Sequence, residues 1–272
     1  MVCYRPVPPP TKRDTDPIKT GMNGKERPIL PPENLVKVVL FDTFGTIVDW
    51  RTSITKEITP IAAQKGLTDF DGDAFARAWR AGYAPGMDAV TAGKRPFVSI
   101  DVIHRERLDA ILPAFGLSLL TESERADLNN AWHRLSPWPD SCAGLARIKA
   151  KFMIGPLSNG SLLLLAHMAK RAGLPWDFIF SSDMHRAFKR DPAVYQNAIR
   201  LLDLAPSEIM MAAAHNDDLA AARAEGMQTA YINRPTEYGV DQRVDFAATS
   251  DWDIIASSVP DLADKLHCPA LA

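Results

Sequence analysis

The sequence predicts an α/β protein, a doubly wound (Rossmann-like) parallel sheet with an inserted helical cap. Short apolar runs rich in β-branched residues recur along the chain, each closed by a polar turn. Helical patterns alternate with these runs, as a parallel sheet covered by helices requires. One long interval between the first two runs breaks that rhythm and carries helical spacing alone.

Residues 1–33 are rich in proline and charge, including Pro6, Pro8 to Pro10 and Pro31-Pro32. Such a stretch buries too little apolar surface to offset its ordering entropy, so a flexible Pro-rich extension is expected. Its proline patch has a secondary reading as a docking peptide. The first strand is expected at 36–41, running into Asp42 and then Thr43-Phe44-Gly45-Thr46. The same grammar returns at 152–157 before Ser158-Asn159-Gly160, and at 178–180 before Ser181-Ser182-Asp183. It returns again at 209–214 before His215-Asn216-Asp217-Asp218, and at 229–232 before Asn233-Arg234-Pro235.

Between these strands a helix over 162–172 ends at Gly173, a natural residue to follow a helix C-terminus. Pro192 can open a helix running to about position 202, and 218–225 ends at Gly226. The helical interval shows Phe75, Ala78, Trp79 and Tyr83 at helical spacing, as well as Leu108, Ile111, Leu112 and Phe115. Thr121 with Glu124 fits a capping box. The core is therefore expected over 34–53 and 138–272, with the cap over 54–137. Polar residues gather just past the strand ends, where ligands bind in such sheets.

Composition bounds the partners. The 272 residues are 46% hydrophobic and 24% charged, which is ordinary for a globular chain. A net charge of −2 gives no reason to expect nucleic acid or an anionic membrane. Cys3, Cys142 and Cys268 are odd in number and far apart, without disulfide or paired metal-ligand spacing. Free thiols suit a reducing compartment. No signal-like apolar segment opens the sequence, and Leu162 to Leu165 is too short to span a bilayer, so a cytoplasmic protein is expected.

Four clusters carry chemistry: FDTFGT with Asp42, LSNGS with Ser158, FKRDPAVY with Lys189, and HNDDLAAARAEGM with Asp217-Asp218. In this order and strand context the chain resembles the haloacid dehalogenase superfamily over roughly 36–266. Phosphatases of that superfamily usually carry a second aspartate two residues after the nucleophile, which protonates the leaving group and helps organise magnesium. Here that position is Phe44, which cannot transfer a proton. A departing halide needs no acid, so the sequence is most similar to the type II 2-haloacid dehalogenases. The resemblance implies hydrolysis of small 2-haloalkanoic acids to 2-hydroxy acids with release of halide, without cofactor or metal. The partners expected are a small 2-halo carboxylic acid and the halide ion, with no nucleic acid and no membrane. A homodimer is compatible with this reading.

Carried over by motif, Asp42 is the nucleophile that forms a covalent ester. Lys189 neutralises and orients it, and Tyr195, six residues on, keeps the family's spacing. Ser158 and Asn159 hold the substrate carboxylate and the halide respectively. Arg80, in AWRAGY beside Trp79, matches the cap arginine that binds the departing halide. Asp218 matches the aspartate that positions Lys189 and the hydrolytic water. Thr43, Phe44, Thr46, Asn216 and Asp217 belong to the same motifs and are expected against the substrate. Without the resemblance, Lys189 reads as a solvated lysine, Arg80 as the wet edge of a helix, and Ser158-Asn159 as turn chemistry.

Two positions depart from the family pattern. Arg190 stands where proline is usual, and Ala213-Ala214-His215-Asn216-Asp217-Asp218 replaces Ser-Ser-Asn-x-Trp-Asp. His215 either takes the place of asparagine near the ester and orients water, or is a structural hydrogen-bonding residue. Two other classes compete. A magnesium-dependent phosphohydrolase is favoured by Asp217-Asp218 and opposed by Phe44. A non-catalytic interaction protein could use the Pro-rich extension, but the presence of Asp42, Ser158, Lys189 and Asp218 together argues against it.

Overall fold

The computed structural model describes residues 35–270, so the expected extension at 1–33 and Cys3 lie outside the described residues. The first strand, β1 (Val38–Phe41), is buried at every position. A strand with no polar face needs cover on both sides, and it has it. Val39 and Phe41 join a cluster with Leu145, Leu164 and Leu262. Val38 and Leu40 join a separate cluster with Val194, Tyr195 and Leu219.

After β1, the two-residue β2 (Val48–Asp49) leads into a helical series: α1 (Trp50–Gln64), α2 (Gly72–Ala81), α3 (Tyr83–Thr91), α4 (Ile100–Ile111) and α5 (Glu122–Asn129). The chain returns through β3 (Ser136–Pro137), which pairs antiparallel with β2, Val48 opposite Pro137 and Asp49 opposite Ser136. Then follow α6 (Ser141–Lys149), β4 (Met153–Ser158), α7 (Leu162–Ala172), β5 (Phe180–Ser181), α8 (Ser182–His185) and α9 (Pro192–Leu202). The chain closes with β6 (Ile209–Ala213), α10 (Asn216–Ala224), β7 (Gln228–Ile232), β8 (Ile254–Ala256) and α11 (Val259–Lys265).

The main sheet has the order β5-β4-β1-β6-β7-β8 and is parallel throughout. The chain therefore builds outward from β1 on one side and returns to build outward on the other. The carboxyl end of β1 is the switch point, and crevices at such points bind ligands.

α7 and α9 occupy the expected positions, and Gly173 follows α7 at φ 68°, in the left-handed region. Thr121 and Glu124 form the expected capping box, with Thr121 N donating to Glu124 Oε2 at 2.7 Å and Glu124 N to Thr121 Oγ1 at 3.3 Å. The set Phe75, Ala78, Trp79 and Tyr83 is divided between α2 and α3 at Gly82. Arg107 packs against that glycine, where an added Cβ would lie 2.3 Å from its side chain. α1 starts at Trp50, ahead of the expected cap boundary, because Asp49 caps it by accepting from Thr52 N at 3.0 Å. Among the described residues no helix is long and apolar enough to cross a membrane, and Cys142 and Cys268 are free thiols.

Candidate active site

β1 delivers Asp42 into the switch-point crevice with only 6% of its surface exposed. The tight turn after it brings Thr46 back, so that Thr46 Oγ1 donates to Asp42 Oδ2 at 2.8 Å and accepts from Ala214 N at 2.9 Å. Lys189 Nζ donates to Asp42 Oδ1 at 2.8 Å and to Asp218 Oδ2 at 2.6 Å. Tyr195, on α9, donates its hydroxyl to Asp218 Oδ1 at 2.6 Å. One ammonium thus bridges two buried carboxylates, a geometry in which each charge is tolerated only because the others are there.

The electrostatics follow from this packing. Burial alone would push the Asp42 carboxyl up, but the Lys189 charge and the contact with His215 outweigh it and hold Asp42 well below the usual carboxylate range. Burial likewise disfavours the Lys189 ammonium, and the charges of Asp218 and Asp42 overcome that and raise it. Asp218 is raised by burial, against the pull of Lys189.

His215 follows β6 and lies between two acids. Its Nδ1 is 3.1 Å from Asp42 Oδ2, and its Nε2 is 3.0 Å from Glu237 Oε2. Burial opposes its charge, but Glu237 and then Asp42 raise it well above the ordinary imidazole range. Glu237 is 1% exposed and accepts from Trp50 Nε1 at 3.0 Å.

Aromatic rings share the cavity with Asp42. Phe44 is buried edge-on to Tyr83 and Trp132, each with ring centroids 6.1 Å away. Arg80 comes from α2 with its guanidinium carbon 3.9 Å from the Tyr83 ring centroid, 5.6 Å from Trp50 and 5.8 Å from Phe44. Its Nη1 is buried without a hydrogen-bond partner. An unpaired donor at such depth is costly unless an acceptor fills the space in front of it.

A cavity of about 400 Å³ connects these groups. Of the residues singled out in the sequence, Asp42, Phe44, Arg80, Asn159, Lys189, His215, Asp217 and Asp218 line it. Thr43, Thr46, Ser158, Tyr195 and Asn216 are not among its lining residues. Thr46 holds Asp42, and Tyr195 holds Asp218. The Ser158 hydroxyl accepts from Gly160 N at 3.2 Å within its own turn. Asn216 turns away, binding Asp245 and the Ala247 carbonyl through its Nδ2 and accepting from Thr249 N and Trp252 Nε1. Thr43 is fully buried, and its hydroxyl has no partner.

Asn159 lines the cavity while its amide also grips the Lys189 backbone, accepting from Lys189 N at 2.6 Å and donating to Lys189 O at 3.3 Å. Asp217 pairs with Arg190 at 3.1 Å, with both side chains about half exposed. Arg190 therefore forms part of the open side of the cavity. The profile of the haloacid dehalogenase-like hydrolases matches residues 36–226.

The chain belongs to this family.

This haloacid dehalogenase-like hydrolase is 31% identical over 213 residues to (S)-2-haloacid dehalogenase 1 of Pseudomonas sp. (strain CBS-3), covering 75% of this chain and 88% of the relative. It is 28% identical over 202 residues to the (S)-2-haloacid dehalogenase of Xanthobacter autotrophicus, covering 74% and 76% of the two chains. Among solved structures it is similar to a defluorinating L-2-haloacid dehalogenase, with TM-score 0.83 and 50% identity over 86% of this chain and 96% of the other. A second L-2-haloacid dehalogenase gives TM-score 0.80 and 44% identity, covering 85% and 99%.

Sequence reading of this hydrolase missed several residues of the cavity and its surroundings, Trp50, Tyr83 and Glu237 among them. Tyr83 was legible only as helical packing, and no pattern in the sequence singled out Trp50. Glu237 falls in the stretch between β7 and β8, where neither helical nor strand periodicity marks any position.

Proposed function

We propose that the protein hydrolyses the carbon–halogen bond of 2-haloalkanoic acids, giving 2-hydroxy acids and halide through an ester on Asp42. One observation carries the proposal: a buried, ionised Asp42 faces a cavity that Arg80 also lines, its Nη1 unpaired among aromatic rings, with Phe44 rather than an acid two residues after Asp42. An Asp42 oxygen displaces halide from the α-carbon, and the electrons of the broken bond leave with the halide toward Arg80. Lys189 holds the attacking carboxylate in place without needing to move a proton. The substrate carboxylate is drawn in by the cations lining the cavity, Arg190 among them, while Ser158 supports the turn that carries Asn159. Water then adds to the Asp42 carbonyl carbon, releasing the hydroxy acid and regenerating Asp42.

Isotope tracing tests this sequence of bonds. With enzyme in excess over an L-2-halo acid in heavy-oxygen water, the first turnover should yield unlabelled hydroxy acid and a labelled Asp42 peptide. Labelled product with an unlabelled peptide would mean direct attack by water and would exclude the ester.

A further inference from the structure

The contact between His215 and Glu237 separates the two halves of the proposed reaction. We propose that Glu237 is a positioning residue that makes His215 the base for hydrolysis of the Asp42 ester, a task distinct from displacement of halide. This rests on the ester mechanism above.

The surroundings of Glu237 are built to hold a carboxylate in one place. Trp50 Nε1 donates to its Oε1 at 3.0 Å, and the side chain is sealed from solvent. It lies across the turn that carries the nucleophile. A Cβ at Gly45 would lie 2.0 Å from Glu237 Oε1, and Gly45 itself has φ +85°, a conformation suited to glycine. His215 in turn lines the cavity, with its Nδ1 directed at Asp42 Oδ2 and so beside the carbon that water must attack. A carboxylate on the far nitrogen fixes the tautomer and orientation of such a base.

The groups facing this pair come from several elements. Asp42 ends β1, Tyr231 lies on β7, Glu237 and Tyr238 follow β7, and Arg80 approaches Glu237 from α2. In the resting enzyme both ring nitrogens point at carboxylates, so the ring carries both protons. Ester formation removes the charge of Asp42. Nδ1 then faces a neutral ester and loses its proton to solvent, while Nε2 keeps its proton against Glu237. As water adds to the Asp42 carbonyl carbon, its proton passes to Nδ1. Collapse of the intermediate breaks the bond between that carbon and the hydroxy-acid oxygen, which takes the Nδ1 proton. The Asp42 acid that remains returns its proton to Nδ1. The balance is one water consumed, with one halide, one proton and one hydroxy acid released. The base exists only while the ester does.

Single-turnover experiments with L-2-chloropropionate separate the steps, because halide release reports displacement and the mass of the Asp42 peptide reports the ester. In Glu237→Gln, which keeps an acceptor for Trp50, halide release should stay within about threefold of wild type. Ester decay should slow at least about tenfold, so that the ester accumulates. Glu237→Asp should recover part of that rate, and His215→Gln should lose more. In the wild-type enzyme, ester decay should slow as pH falls. Equal slowing of both steps in Glu237→Gln would make Glu237 merely structural and overturn the proposal. Ester decay that speeds up toward acid pH would mean that the water is not activated by a neutral His215 and would also overturn it. A wild-type enzyme that releases halide without ester on Asp42 would remove the underlying mechanism, a distinct failure.

Discussion

Tyr195 touches the reaction only through Asp218: its hydroxyl donates to Oδ1, which leaves Oδ2 to hold Lys189. Without that donor, one oxygen of a buried carboxylate loses its partner, at a cost of about 2 kcal/mol for a bond to a charged group. Tyr195→Phe should therefore lower the denaturation midpoint measured by urea titration. It should also reduce halide release by roughly tenfold as Asp218 gains freedom to swing away from Lys189. An unaltered midpoint would show that the hydroxyl does not support the carboxylate.

Arg80 offers its free N–H from inside a cage of rings. Arg80→Ala should cut turnover of an L-2-halo acid by about a hundredfold or more, the scale of losing one oriented donor to a developing anion. The circular dichroism spectrum should be unchanged. Wild-type rates in a folded Arg80→Ala protein would exclude the halide role.

His104 gives the fold a defined acid sensitivity. Its ring stacks on Trp132 with centroids 4.3 Å apart, and neither nitrogen has a partner. Burial lowers its pKa from the ordinary 6.5 to about 3. Between those values the unfolded chain binds a proton that the folded protein refuses. The contribution to stability is therefore full above pH 6.5 and is lost as pH falls toward 3. In His104→Phe, the loss of unfolding free energy between neutral pH and pH ~4 should be smaller than in wild type by on the order of 3 kcal/mol. Parallel stability curves for the two proteins would refute this origin.

Phe44 fills the position where phosphatases of the superfamily usually carry an aspartate. Exhaustive chelation should leave halide release unchanged within about twofold, since the proposed chemistry asks the enzyme for no leaving-group acid. Aryl phosphates should be poor substrates. Magnesium-dependent phosphate release that disappears in Asp42→Asn would instead favour a phosphohydrolase.

The parts legible in the sequence were those written in local pattern. The strand at 36–41 and the helices over 162–172 and 192–202 announce themselves by apolar period, proline and glycine. Asp42 follows because it stands just past the end of β1, whereas Lys189 and Asp218 were legible through the motifs that hold them. β2, β3 and β8 are two or three residues long and carry no period to read. At Gly82, where α2 gives way to α3, Arg107 packs from a different helix, a contact no local pattern marks. Asn216 looks like a ligand residue in one dimension, yet its side-chain amide is taken up by the segment at 245–252. Glu237 is the opposite case, silent in sequence and central in space, because 187 residues separate it from its partner Trp50.

The pairing of β2 with β3 places the two ends of the helical excursion side by side, Asp49 opposite Ser136. Everything between them is, for the sheet, a detour that starts and finishes at one doorway. The cavity draws Asp42, Lys189 and His215 from one side of that doorway, and Arg80 with much of its shape, Arg77, Tyr83 and Met87, from the other. Substitutions that alter the shape can accumulate in the detour without shifting the sheet register that aims Asp42. In a lineage of such proteins, substrate range is therefore free to drift much faster than mechanism.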